Sequence, residues 1–102
     1  MEYTFERGRM NVHYLTAPYE LLVKALGNDG TVSRRDSYKS MCEWDVDTPS
    51  GVVEVYDYKV GTCYSDDGLA RESITVWHIQ GHDTGIDHIM GLLDGAGGSR
   101  IV

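Results

Sequence analysis

Apolar and polar residues alternate with a period of two through "MCEWDVDTPSGVVEVYDYK", residues 41–59. Cys42, Trp44 and Val46 take one phase, and Glu43, Asp45 and Asp47 the other. Beyond "TPSG" the alternation resumes, with Val53 and Val55 set against Glu54, Tyr56 and Tyr58. Successive strand residues point to opposite faces, so the pattern predicts two half-buried strands. Pro49 is preset for the second position of a turn, and Gly51 can take a positive φ. The segment reads as a β-hairpin.

Two stretches switch to helical spacing. In "TAPYELLVKALGNDG", Tyr19, Leu22, Val23 and Leu26 fall at i, i+3, i+4 and i+7 and make one apolar stripe. Thr16 is the expected cap, Pro18 sits in the first turn, and Gly27 stops the helix. In "DTGIDHIMGLLDG", Ile86, Ile89, Met90 and Leu93 repeat the spacing, with Asp83 or Thr84 as the cap.

Between these, "SITVWHIQG" is rich in β-branched and aromatic residues and reads as a strand. "MEYTFER" alternates weakly, and "VHYL" is a second short extended piece. "TVSRRDSYKS" and "VGTCYSDDGLARE" read as loops, the second long enough to suggest function or mobility. One domain is expected over residues 1–95, with 96–102 a flexible tail. The fold class follows as α+β: a small two-layer sandwich in order α-β-β-β-α. An antiparallel sheet of three or four strands carries both helices on one face, with an extra N-terminal strand as an option. Trp44 and Trp77 belong to its core.

The 102 residues carry a formal net charge of −7. An acidic chain is repelled by phosphate backbones and anionic membranes, so direct nucleic-acid and membrane binding are disfavoured. No apolar run approaches a membrane span, and "MEYTFERGRM" lacks the apolar core of a signal peptide. A cytoplasmic protein with reduced thiols is expected.

The residues "EW" (43–44), "TPSG" (48–51), "VYDYK" (55–59) and "ITVWHIQG" (74–81) resemble a family of small bacteriophage-encoded proteins of unassigned role. The resemblance spans about residues 42–93 and rests on strand and turn positions, with no catalytic signature. It implies a phage origin. In those relatives the place of Val76 is often acidic, which implies that Val76 faces solvent and Trp77 the core.

His78, His82 and His88 suggest a metal site, since they lie within eleven positions with Asp83 and Asp87 between them. Zinc needs ligands converging on one point. His88 falls about 200° around its helix from Ile86, so it faces away from the apolar stripe and from His78. No metal and no cofactor are expected. Asp66 and Asp67 do not start a calcium loop, because position twelve is Trp77 or His78 and never a closing glutamate. Cys63 beside His78 or His82 is a conceivable nucleophile pair, but nothing else in the chain supports it. No glycine-rich phosphate cradle is present. An enzyme is not expected.

A surface remains. If Trp44, Val46, Val53, Val55, Trp77 and Ile79 face the helices, the other sheet face carries Glu43, Asp45, Asp47, Glu54, Tyr56, Tyr58, Val76 and His78. Exposed tyrosines beside carboxylates suit a binding surface. The expected contact set is Tyr56, Tyr58 and His78, with Asp66 and Asp67 in the neighbouring loop. The expected role is an accessory protein that engages or inhibits a host protein of neutral to basic surface, with homo-oligomerisation open. A sponge for a signalling nucleotide, an acidic DNA mimic and a phage structural component are the alternatives.

Overall fold

The computed structural model describes residues 1–31, 40–58, 60–62 and 64–101. In chain order the elements are β1 (Glu2–Glu6), β2 (Val12–Thr16), α1 (Tyr19–Leu26), β3 (Glu43–Thr48), β4 (Gly51–Tyr56), β5 (Val76–Gln80), α2 (Asp83–Gly95) and β6 (Ser99–Arg100). A single 3-10 turn at Arg71–Ser73 leads into β5. Most of the loop read in "TVSRRDSYKS", residues 32–39, lies outside the described residues.

Among the described residues the strands form one six-stranded sheet in the order β3-β4-β5-β2-β1-β6. The sheet is mixed, because β1 and β6 run parallel while the other pairs are antiparallel. It curls into a half-barrel around the two helices. The expected three- to four-stranded antiparallel sandwich in order α-β-β-β-α is therefore corrected in strand number, direction and order.

Side-chain direction explains the larger sheet. Leu15 pairs with Trp77 and Phe5 with Leu15, so the apolar phase of the first two strands continues the apolar phase of β5. Left unpaired, β2 would expose Leu15 and a row of backbone donors and acceptors. The sheet also takes in part of the C-terminal segment. Ser99 N–H donates to Met1 O at 2.8 Å and Ile101 N–H to Tyr3 O at 2.9 Å, which adds β6 to the edge of β1.

The β3–β4 hairpin keeps the register set by its alternation, pairing Trp44 with Val55 and Val46 with Val53. Its turn is closed by Thr48, whose hydroxyl donates to Gly51 O at 2.6 Å, and Gly51 takes φ +103°. α2 buries Ile86, Ile89, Met90 and Leu93, the whole predicted stripe. α1 buries Leu21 and Leu22, while Tyr19, Val23 and Leu26 are half-buried. Neither helix has a side-chain cap. Thr16 belongs to β2, opposite Val76, so Pro18 holds the N-cap of α1, and His82 holds that of α2.

Trp44 and Trp77 meet edge to face at the centre of the core, with ring centroids 5.4 Å apart. Each indole N–H finds a backbone acceptor, Asn28 O at 3.0 Å for Trp44 and Ala17 O at 2.9 Å for Trp77. Buried indoles need such partners, because an unpaired donor in the core costs stability. Both bonds also tie the ends of α1 to the sheet.

Candidate functional site

With the helices filling one side, the other face of β4, β5 and β2 is open to water. Cross-strand register sets one row of side chains on it: Glu43, Tyr56, His78, Tyr14 and Glu6. Directly opposed residues on one face are in contact range, so this row is a cluster. Tyr56 stacks on His78 at 5.3 Å between centroids, Tyr14 meets its edge at 5.3 Å, and Tyr58 meets it edge-on at 5.8 Å.

Three phenol rings thus surround one imidazole. Their packing strips water from His78 and pulls its pKa below the ordinary histidine value, while the Asp57 charge acts in the opposite direction. His78 Nδ1 is buried and has no hydrogen-bond partner. Burial raises the Tyr56 hydroxyl above its usual value, and the Glu54 and Glu43 charges add to this. Val76 and Val52 extend the cluster along β5 and β4, with 51% and 54% of their surfaces exposed.

Of the residues expected from sequence, Tyr56, Tyr58 and His78 come together here. Asp66 and Asp67 are exposed in a turn where Gly68 N–H donates to Ser65 O at 2.9 Å. Their loop is closed on itself, since Thr62 N–H donates to Leu69 O at 3.0 Å and Leu69 N–H to Val60 O at 2.8 Å. His82 lies at the start of α2 and His88 is exposed on it. Among the described residues no group of three His, Cys, Asp or Glu could hold a metal ion. Cys63 lies outside the described residues. Cys42 is buried, and burial followed by the Asp57 charge pushes its thiol up to about 12, which disfavours the thiolate.

Two residues of this region escaped the sequence reading. Tyr14 joins the cluster from β2, and only the pairing of β2 with β5 puts it there. Asp57 continues the inward phase of Val53 and Val55, so its position carried a signal: an aspartate at a core site. It is fully buried, and its carboxylate accepts the Cys42 N–H at 2.7 Å and the Met41 N–H at 3.1 Å.

Beside the cluster an open cleft of about 260 Å³ is lined by Met10, Asn11, Val52, Glu54, Gln80, Gly81 and His82. It lies where the β1–β2 turn approaches the ends of β4 and β5. Asn11 O accepts the Gly81 N–H at 3.1 Å and holds its rim together. Glu54 is half-buried in it, directly across from Gln80.

No family model, no curated protein and no solved structure matches the chain. Among the described residues no helix is long and apolar enough to cross a membrane.

Proposed function

We propose that this protein acts by binding a protein partner through the outer face of β4, β5 and β2, and that it is not a catalyst. One observation carries the reading: Tyr14, Tyr56 and Tyr58 gather round His78 on a sheet face that also exposes Val52 and Val76. Water-facing sheet faces are ordinary when polar. Aromatic rings packed beside exposed valines are the composition of interface centres, where rigid side chains bury large area at small entropic cost. The net charge of −7 favours a partner of neutral to basic surface, with an attraction that weakens in salt. The resemblance of the strand and turn residues to phage-encoded proteins supports a host protein, met in the host cytoplasm, as that partner.

The test is affinity capture from host lysate with wild type and a Tyr14→Ala/Tyr56→Ala variant, alongside native mass spectrometry. A protein retained by wild type and lost by the variant is the expected result, with circular dichroism showing both folded. Equal retention by both moves the contact elsewhere on the molecule. A co-purifying small molecule with no captured protein would replace the reading with a nucleotide sponge.

A further inference from the structure

We infer that the cleft between the β1–β2 turn and the ends of β4 and β5 receives an arginine side chain of the protein partner, with Glu54 as its counter-charge. The inference rests on the protein-binding reading above and assigns the chemistry of one contact within it. Glu54 is half-buried in the cleft. Among the described residues its carboxylate makes no hydrogen bond and no ion pair.

A carboxylate partly withdrawn from water attracts a cation more strongly than an exposed one does, because the local dielectric is lower. The walls beside it are mixed, with Asn11, Gln80 and His82 as polar members and Met10 and Val52 as apolar ones. Met10 is 92% exposed and Val52 54%, and together they offer an alkyl stem a surface to lie along. The guanidinium fits better than an ammonium, because its planar fork can meet both carboxylate oxygens while its weaker hydration eases entry. The Tyr56 ring, next along β4 on the same face, adds an aromatic surface toward which a guanidinium is drawn. A second copy of this chain is the poorer occupant, since its own net charge of −7 repels it.

The probes are blocked Gly-Arg-Gly, Gly-Lys-Gly and Gly-citrulline-Gly peptides, titrated at low salt into the full chain labelled with nitrogen-15. The arginine peptide is expected to move the amide signals of Val52, Glu54, Gln80 and Gly81, the lysine peptide to act more weakly, and the neutral citrulline peptide to leave them in place. Glu54→Gln should weaken the arginine response about tenfold, the loss of one charge-assisted contact. An equal response to citrulline, or an unchanged response in Glu54→Gln, overturns the assignment. So does movement of the same amides on raising the protein concentration without peptide, which would give the cleft to a second copy. A host protein captured equally by wild type and Glu54→Gln removes the arginine contact and leaves the binding reading standing. An arginine response with no capture of any protein removes the binding reading instead.

Discussion

The Tyr56 ring lies parallel to the His78 imidazole, with centroids 5.3 Å apart and planes 10° apart. The stack excludes water, and His78 holds a pKa below its ordinary value as a result. A depressed histidine pKa means that the unfolded chain binds the proton more readily than the folded one. This contribution to stability is full above the unfolded value near 6.5 and is lost as pH falls through the lower folded value. Imidazole NMR signals should give His78 a midpoint below 6.5, and denaturant unfolding should show stability declining across the same window. His78→Phe should flatten that decline. A His78 midpoint above 6.5 would rule out a water-poor cluster.

On the opposite side of the sheet, Tyr3 is buried and donates its hydroxyl to Asp94 Oδ1 at 2.6 Å, which fastens the end of α2 to β1. Burial, then the Asp94 hydrogen bond, pushes its pKa to about 12 from 10.0. Here the folded state keeps the proton longer than the unfolded one. The contribution is intact below 10.0 and disappears as pH rises toward about 12. Tyr3→Phe should cost about 1 kcal/mol at neutral pH, the net value of one hydrogen bond, measured by urea unfolding. It should also make alkaline unfolding less steep.

The parts of this fold legible in the sequence are those whose pattern closes within a single element. The stripe Ile86, Ile89, Met90 and Leu93 occupies four spaced positions on one helix, and Trp44 alternates with Asp45 inside one strand. Which strands become neighbours is a different kind of information. "VHYL" alternates whether or not β5 lies beside it, so Tyr14 could not be placed next to His78 without the register Tyr14↔His78. β6 is harder still: Ser99 and Arg100 pair with β1 through backbone atoms, both side chains are exposed, and two residues carry no periodicity. Thr16 shows the remaining difficulty. The same residue suits a helix cap and a strand end, and the offer of a partner strand decides for the strand.

Asp57 accepts two backbone N–H groups, from Cys42 and Met41, and holds the chain entering β3 against the end of β4. Asp57→Ala leaves both donors without their acceptor and should destabilise the protein by about 3 kcal/mol. Asp57→Asn, whose single amide oxygen can still accept one of the two bonds, should cost less. The carboxylate charge also raises the His78 pKa against the effect of burial. Removing it should therefore lower the His78 midpoint further in any variant that remains folded. An unchanged midpoint in Asp57→Asn would show that the charge does not reach the cluster.

The β1–β2 turn joins stability to the cleft. Met10 and Asn11 have φ values of 55° and 63°, and Val12 N–H donates to Arg9 O at 3.0 Å. This is the left-handed two-residue turn that matches strand twist and favours Asn-Gly. Methionine gains nothing there, since a side chain in the left-handed region costs about 1–2 kcal/mol. It is also 92% exposed, so packing within the chain does not compensate. Replacing the pair by Met10→Asn and Asn11→Gly should stabilise the protein by about 1 kcal/mol, a rise in Tm of roughly 4–8 °C for a domain of this size. The same change removes the thioether wall of the cleft, so the arginine peptide should bind more weakly to the more stable protein. Calorimetry and the peptide titration on one sample measure both effects. A stabilised variant that binds the peptide as tightly as wild type would take Met10 out of the contact. An unchanged Tm would mean that the turn holds no strain for the substitution to relieve.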